Sequence, residues 1–262
     1  MTPARGKSAA AARAPRARTV GARPNPRARA GASVAGRGGA VEFHSATPDR
    51  WDDVARLFGP RGACAGCWCM WPRLRGGEFR RNMGEPNRRA FQRIVRAGEE
   101  PGLLAYVGGE PVGWLALAPR STYPRLEHSR ILKPIDDQPV WSVVCFFVAK
   151  EQRRQGMSVR LLEAAARHAR DRGAVMIEGY PVEPRSGKTA DAFAWTGLAA
   201  TFRAAGFVEV ARPSPTRPIM RRALGRGARA ASPATRRARP TASAVRNARA
   251  RAGSTARKRA KA

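Results

Sequence analysis

The sequence has few tyrosines, histidines and cysteines, and no hydrophobic run long enough to cross a membrane. Among 262 residues there are three Tyr, three His and four Cys. Four cysteines, three of them clustered at residues 64–69, are too few for the disulfide framework of a small secreted domain, so reduced thiols are expected. No stretch approaches the ~20 apolar residues of a membrane helix, and the N-terminus lacks the apolar core of a secretory signal. We therefore predict a cytoplasmic protein without a transmembrane segment.

Acidic residues are absent from both ends of the chain. Residues 1–40 carry nine Lys or Arg and residues 223–262 carry twelve, whereas all 19 acids lie between them with the remaining 29 cations. The formal charge of +31 therefore comes mostly from the two ends. Such segments contain too few large apolar side chains to offset the entropy of ordering their backbone, so both are predicted to be disordered tails. Their charge would attract nucleic acid or an anionic membrane non-specifically, or they are solvated extensions with no dedicated partner.

Periodic apolar patterns in residues 41–222 predict one α/β domain with a mixed sheet. The expected elements are a strand at 41–44, a helix at 48–58 capped by Thr47, a helix capped by Asn87 and ending at Gly98, a hairpin of 103–107 and 112–118, a strand at 140–148, a helix at 157–172, a strand at 174–180, a helix at 190–205, and a last strand at 207–211 that resumes near Ile219. The uncharged strand at 140–148 is typical of a central strand covered on both faces. A strand, helix and strand in succession require a crossover, which makes the two strands parallel.

The turn after the strand at 140–148 has the composition of an anion site. It reads Lys-Glu-Gln-Arg-Arg-Gln-Gly-Met-Ser from Lys150 to Ser158. Free N–H groups at a helix N-terminus and the positive end of the helix dipole attract anions. Gly156 allows close approach of a ligand, while Arg153 and Arg154 add positive charge. A diphosphate is therefore a suitable ligand for this turn.

This turn resembles the acetyl-CoA signature of the GNAT superfamily of N-acetyltransferases. The family pattern is Arg or Gln, two residues, Gly, one residue, then Gly or Ala; Arg153, Gly156 and Ser158 occupy its three defined positions. Ser158 departs from the pattern but is also small. The resemblance continues through the hairpin, both later strands and a closing helix-to-strand junction at Gly206-Phe207, covering about residues 41–222. It implies the GNAT-like acyl-CoA N-acyltransferase fold, with acetyl-CoA as co-substrate.

The resemblance also implies where acetyl-CoA binds. A V-shaped gap would open between the strand at 140–148 and the next strand, and pantetheine would pair with the backbone of Phe146, Phe147 and Val148. The pyrophosphate would contact backbone N–H groups beside Arg153, from Arg154, Gln155, Gly156, Met157, Ser158 and Val159. The acetyl group would pass directly from the thioester to an amine, and a strand N–H near Phe146 would stabilise the oxyanion.

The acid and base of this reaction are less clearly marked. Many family members have a tyrosine five residues before the phenylalanine of the Gly-Phe pair, where it protonates the CoA thiolate; here that residue is Phe202. Glu178, Tyr180 and Cys145 are the candidate catalytic residues, because a buried Glu with a raised pKa can act as a base. An ion pair with a nearby arginine is the alternative for Glu178, and equally for Glu183 at the end of the strand.

Cys64, Cys67 and Cys69 have a spacing that also occurs in zinc sites. Without a second CxxC motif, a fourth ligand would have to come from Cys145 or a histidine. The alternative, which we favour, is that the thiols pack as small apolar groups beside Trp71, so that no metal is bound. His168 lies in the middle of a predicted helix and is expected on its surface.

The sequence therefore indicates an N-acetyltransferase acting on an amine of a small molecule or a protein. The basic middle of the chain favours neutral or acidic acceptors, and no particular oligomeric state is implied. Two alternatives remain: a nucleic-acid-associated protein that acts through its basic tails, and a catalytically silent CoA-binding module, which the phenylalanine at position 202 suggests.

Overall fold

The computed structural model describes residues 40–185 and 194–225. The predicted tails lie outside this range, apart from residue 40 and residues 223–225. Seven strands and six α-helices are described; in chain order they are β1 (Val41–Ser45), α1 (Trp51–Phe58), α2 (Gly76–Arg81), α3 (Glu85–Arg96), β2 (Gly102–Val107), β3 (Glu110–Pro119), α4 (Pro124–Glu127), β4 (Trp141–Val148), α5 (Met157–Asp171), β5 (Met176–Gly179), α6 (Ala199–Ala204), β6 (Val208–Ser214) and β7 (Arg217–Ala223). None of these helices is long and apolar enough to cross a bilayer.

The strands form one mixed sheet in the order β1-β2-β3-β4-β5-β7-β6. The pair β4 and β5 is parallel, and all other neighbours are antiparallel. The parallel pair arises because α5 carries the chain across the sheet between the two strands. The predicted mixed α/β fold, with its hairpin followed by a parallel unit, is confirmed. The last strand is a hairpin of β6 and β7 rather than one interrupted strand, and β7 reaches Ala223.

Each face of the sheet is covered by its own hydrophobic cluster. On one face α1 and α3 bury a set of aromatic side chains that includes Trp51, Phe91 and Trp114. On the other face α5 and α6 pack Leu161 and Phe202 against the strands. Burial on both sides explains why β4 carries an uncharged, β-branched and aromatic sequence. β4 is thus held between two layers, and its ends are fixed relative to α5.

Two predicted helix caps differ from the observed ones. The residue before α3 is Gly84, with a φ of 86°, and Asn87 is already inside the helix. Asn87 is fully buried, and its Nδ2 donates to the carbonyl of Gly66 at 3.2 Å, so it anchors the segment that precedes the helix. Thr47 makes no side-chain cap; its hydroxyl instead accepts a hydrogen bond from Arg50 at 3.0 Å. Each of these side chains forms a hydrogen bond elsewhere instead of capping its helix.

The prediction of a helix at 190–205 is wrong for residues 194–198. There the chain turns, Gly197 has a φ of 85°, and the helix α6 begins only at Ala199. Residues 190–193 lie outside the described range. Alanine-rich composition favours a helix locally, but Val182 instead pairs with Leu198, donating its N–H to the carbonyl of Gly197 and accepting from the N–H of Ala199. Tertiary contacts therefore override helix propensity here. The short helices α2 and α4 were not predicted, because neither is long enough to show a period.

His168 is half-buried on α5, where its ring contacts Trp141 with a centroid separation of 6.0 Å. Burial, and secondarily the charge of Arg172, lower the pKa of His168 to about 4. In the unfolded chain the pKa of histidine is about 6.5, so the unfolded state binds the proton more readily at mildly acidic pH. The stability contribution of the neutral ring is therefore present above pH 6.5 and is lost as the pH falls towards 4.

We expect the free energy of unfolding to fall by about 1–2 kcal/mol between pH 7 and pH 5, after a discount for partial exposure. His168→Gln should remove most of this decrease, while His44 and His128 remain in both proteins. Urea denaturation at the two pH values measures the difference. An equal pH dependence in the variant and the parent would contradict the assignment to His168.

Candidate functional site

The N-terminus of α5 presents a row of backbone N–H groups without acceptors. Gly156 precedes the helix with a left-handed φ of 76°. Among the described residues, the N–H groups of residues 154–158 donate to no acceptor; the first bonds to a carbonyl run from Val159 and Arg160 to Gly156. No side chain caps the helix and its first turn contains no acid. Five consecutive free donors at the positive end of a helix dipole are the kind of arrangement that attracts an anion.

The side chains around this turn leave the donors accessible. Arg154, Gln155 and Gly156 are exposed, and no atom lies within 4 Å of the position where a Cβ would stand on Gly156. The Nε of Arg153 donates to the carbonyl of Val148 at 2.9 Å, which ties the turn to the end of β4. The side chain of Met157 is buried, so this residue could contact a ligand only through its backbone N–H. Ser158 and Val159 are half-buried.

β4 and β5 part after three residue pairs. The pairing ends at Val143 and Gly179. On the other edge of β4 the register with β3 shifts around Val144, which stands as one additional residue. A bulge of this kind bends a strand and re-aims the residues beyond it. Phe146, Phe147 and Val148 therefore lie past the point of separation, on a part of β4 that β5 does not cover.

The N–H that was expected to stabilise an oxyanion is already engaged. Phe146 donates its backbone N–H to the carbonyl of Trp195 at 2.7 Å. The segment that holds Trp195 precedes the isolated pairing of Val182 with Leu198 and lies against the open edge of β4. Since one N–H donates to one strong acceptor at a time, a ligand that pairs with Phe146 must displace the Trp195 carbonyl. Sequence periodicity gave no signal for this contact.

Glu178 lies in a buried network with two arginines. Its Oε1 accepts from Arg120 at 2.7 Å and from Tyr180 at 2.5 Å, and its Oε2 accepts from Arg221 at 2.6 Å. The Tyr180 hydroxyl also lies 2.9 Å from Ser142 Oγ. Glu178 and Tyr180 are each only 1% exposed. This geometry is that of the ion pair considered as the alternative for Glu178, and a catalytic role stays a prediction.

The same arginines hold a neighbouring loop. Arg120 donates to the carbonyl of Leu132 at 2.6 Å, and Arg221 donates to both carboxylate oxygens of Asp136 at 2.6 and 2.8 Å. The hydrogen bonds from Arg221 lower the pKa of Asp136. The loop between α4 and β4 is thus fastened to the sheet through the Glu178 network.

Burial raises the pKa of the Tyr180 hydroxyl well above its usual value, with the charge of Glu178 adding to the effect. The hydroxyl is therefore protonated at neutral pH, and it donates a hydrogen bond to Glu178 Oε1. Glu183 differs from Glu178: it lies at the surface, and hydrogen bonds from Arg203 and Arg212 lower its pKa. It remains ionised and paired.

Cys145 joins the cysteine cluster on the face of the sheet that α1 and α3 cover. A hydrogen bond with Cys69 and burial raise the pKa of Cys145, and burial raises the pKa of Cys67 to about 12. The Nε1 of Trp114 donates to Cys69 Sγ at 2.9 Å. Thiols in this state are protonated at neutral pH and are poor nucleophiles. All four cysteines are free, and within the described part of the chain no three His, Cys, Asp or Glu side chains are grouped as a metal site.

Phe202 is fully buried where β4, β5 and the segment that holds Trp195 meet. Its ring meets Phe146 at a centroid distance of 5.9 Å and Phe207 at 4.9 Å, both edge-to-face. The side chain of Phe202 has no hydroxyl that could donate a proton, and it packs against other hydrophobic side chains.

A pocket of about 490 Å³ adjoins this region, and sequence reasoning missed it. Among the residues that line it are Trp71, Arg75, Arg125, His128, Trp195 and Arg217. The rings of Trp71 and Trp195 meet edge-to-face with centroids 4.6 Å apart. The volume is typical of small-molecule sites, about 300–1,000 Å³. Trp195 connects the pocket to β4, because its side chain lines the pocket while its carbonyl contacts Phe146.

Comparison with known proteins places the centre of this chain in one family model. Residues 68–186 match the model described as Acetyltransferase (GNAT) family. Comparison with curated proteins finds no match. Among solved structures, a GNAT-family acetyltransferase from Desulfovibrio desulfuricans is 15% identical, with 71% of this chain and 99% of that chain covered and a TM-score of 0.41.

Two further structures are similar at the same level. The PaiA N-acetyltransferase from Thermoplasma acidophilum, solved in complex with coenzyme A, is 13% identical over 70% of this chain and 99% of its own, with a TM-score of 0.41. A GNAT-family acetyltransferase from Listeria monocytogenes is 11% identical over 70% and 95%, with a TM-score of 0.45.

Proposed function

We propose that this chain, whose residues 68–186 match the GNAT acetyltransferase family model, is an N-acetyltransferase that moves an acetyl group from acetyl-CoA to an amine. The observation that supports this most directly is the row of free N–H groups at residues 154–158, which directly follows the strand that parts from its neighbour. A diphosphate needs such donors and a backbone that it can approach closely. Gly156 and the exposed Arg154 provide both.

Acetyl-CoA supplies an activated thioester, and the chain's own residues bind and orient it. In this proposal the N–H groups of residues 154–158 hold the pyrophosphate, and the open edge of β4 at Phe146, Phe147 and Val148 receives the pantetheine. The neutral amine nitrogen forms the new N–C bond as the C–S bond breaks. The nitrogen loses one proton and the thiolate sulfur takes one up, so that an amide and the free thiol of CoA are formed. Binding at Phe146 requires the Trp195 carbonyl to release its hydrogen bond, so this segment and the co-substrate compete for one donor.

Tyr180 is the proposed proton donor, because its side chain carries a hydroxyl and it directly follows the last paired residue of β5. Glu178 and Cys145 are weaker candidates. The carboxylate of Glu178 already accepts hydrogen bonds from two arginines, and the raised pKa of Cys145 keeps its thiol neutral. The four free thiols support a cytoplasmic location.

The proposal is tested by calorimetric titration of acetyl-CoA into the full chain and into Gly156→Glu. We expect micromolar binding by the parent and affinity at least about 100-fold weaker in the variant. A carboxylate about 5 Å from a phosphate costs about 3 kcal/mol at an effective dielectric constant of 20. A folded parent that does not bind acetyl-CoA would show that the proposal is wrong.

Gly173→Glu is the matched control. Gly173 follows the other end of α5, also has a positive φ, at 83°, and also has no atom within 4 Å of the position that a Cβ would take. The backbone strain of the two substitutions is therefore similar, and only the location differs. Gly173→Glu should bind acetyl-CoA as the parent does. Equal loss in both variants would mean that strain, rather than the anion site, accounts for the effect.

The same preparations separate the alternatives. Acetyl-CoA binding without transfer to any amine in a broad panel would favour the silent CoA-binding module, the alternative that Phe202 suggests. Retention on DNA that is lost when residues 1–39 and 226–262 are removed would favour an additional role of the basic ends, which lie outside the described residues.

A further inference from the structure

The pocket beside β4 carries positive charge that no acid compensates. Arg75, Arg125 and Arg217 line it, and within the described residues none of the three forms a salt bridge with a carboxylate. Buried arginines elsewhere in this domain are paired: Arg120 contacts Glu127 and Glu178, and Arg221 contacts Asp136 and Glu178. The two buried arginines of the described domain are therefore paired with carboxylates. The three that line this cavity are not: Arg125 and Arg217 are half-buried, and Arg75 is exposed.

Arg125 is held in place with one end unsatisfied. Its guanidinium lies over the ring of Trp71 at 4.7 Å and over that of Phe79 at 5.5 Å, and its Nε donates to the carbonyl of Leu74 at 3.0 Å. Its Nη2 is buried from solvent and has no hydrogen-bond partner. A buried donor without a partner costs about 1–3 kcal/mol, and more when it is charged. A fixed, desolvated and unsatisfied guanidinium is suited to receive an acceptor from a ligand.

The other two arginines contact a histidine and a threonine. Arg75 Nη2 lies 2.8 Å from His128 Nε2, and Arg217 Nη1 donates to Thr196 Oγ1 at 2.9 Å. Burial lowers the pKa of Arg217 and of Arg125, yet guanidinium groups remain charged in proteins. Three positive charges thus meet around one cavity, which Trp71 and Trp195 also line.

We infer that this pocket binds the anionic end of the acceptor, so that the substrate is a small amine that also bears a carboxylate or a phosphate group. This inference rests on the proposed acetyl transfer and specifies its substrate class. The anion contacts the guanidinium groups, the indoles pack against the apolar body, and Trp195 lies between the pocket and the edge of β4. A polyamine or another purely cationic amine is repelled by the same three charges.

The test is a calorimetric comparison of matched ligands that differ only in the acid. Phenylalanine is compared with phenylalaninamide for the carboxylate arm, and phosphoethanolamine with ethanolamine for the phosphate arm. The full chain is saturated with CoA, which cannot donate an acetyl group. We expect the acid to bind at least about tenfold more tightly than its neutral partner in one arm or both, since a charge-assisted hydrogen bond contributes about 1.5–3 kcal/mol. The arm that responds identifies the anion.

Arg125→Gln should reduce this preference to near unity without changing CoA affinity, and Arg217→Gln serves as the second variant if Arg125→Gln unfolds. Arg130→Gln is the control, because Arg130 lies in the loop that follows α4 and is at the surface but does not line the pocket. It should keep the preference. Kinetic acid-to-amide ratios of kcat/KM should follow the binding ratios.

The outcomes separate this inference from the proposed function. CoA binding together with no preference for either acid, or a preference that survives Arg125→Gln and Arg217→Gln, overturns the inference and leaves the acetyltransferase proposal standing. Failure of CoA itself to bind a folded chain overturns both.

Discussion

Glu178→Gln is expected to lower the free energy of unfolding by about 3–5 kcal/mol, which is the range for removing one partner of a buried ion pair. The carboxylate is 1% exposed and accepts from Arg120 and Arg221. Glutamine has the same shape as glutamate but is neutral, so the negative charge that faces the two buried guanidinium groups is lost. Its amide nitrogen is also a donor, placed among groups that themselves donate, including the Tyr180 hydroxyl. Urea denaturation monitored by circular dichroism measures the loss.

Glu183→Gln is the matched control, since Glu183 also contacts two arginines, Arg203 and Arg212. Its carboxylate is about a third exposed and its partners are more exposed still, so water screens the interaction. The expected change in the free energy of unfolding is less than about 1 kcal/mol. Similar losses in the two variants would contradict the explanation by burial.

The pair of variants also tests the predicted catalytic role of Glu178. A general base contributes about 10²–10⁴-fold to the rate. If Glu178 holds the loop through Arg120 and Arg221, Glu178→Gln should lose stability, and its activity per folded molecule should fall mainly through KM. If Glu178 is a base, kcat should fall by that factor while stability changes little. The buried network favours the first outcome.

The sheet and the turn that precedes α5 could be predicted because their signals are local. Apolar residues recur every two positions in a strand and about every 3.6 positions in a helix such as α5. Both patterns can be recognised in a window of about ten residues. The donors at residues 154–158 belong to one turn, so Gly156 and its neighbours were visible in the sequence. The same reasoning located the departure of Phe202 from the family pattern.

The pocket could not be predicted in this way because its walls come from distant parts of the chain. Trp71, Arg125, Trp195 and Arg217 lie on four segments that only the finished fold brings together. The sequence shows an excess of arginine but not which arginines have partners: Arg221 is paired with a carboxylate and Arg217, four residues earlier on the same strand, is not. Charge counting favoured a neutral or acidic acceptor, and the pocket is the place where we infer that an acidic acceptor binds.

The contact of Trp195 with β4 was hidden for a related reason. Alanine-rich composition favoured a helix through residues 190–205, yet Gly197 is needed in a left-handed conformation, and a Cβ there would collide with the rings of Phe202 and Phe146. The glycine is visible in the sequence, but its neighbours are not. Phe202 therefore shapes the segment that closes the open edge of β4.

Gly179→Ala is expected to destabilise the fold by about 3 kcal/mol, because overpacking a filled core forces side chains and backbone to move. A Cβ on Gly179 would lie closer to Cε1 of Phe202 than any carbon contact permits, and the ring cannot withdraw because it is fully buried. In a double-mutant cycle, Phe202→Leu should relieve part of this clash, so that the two losses are less than additive. Gly77→Ala is the control, since its Cβ would meet only the flexible end of Arg81 and should be neutral or slightly stabilising. Additive losses in the cycle would mean that the ring of Phe202 does not determine which residue β5 can carry at the point where it parts from β4.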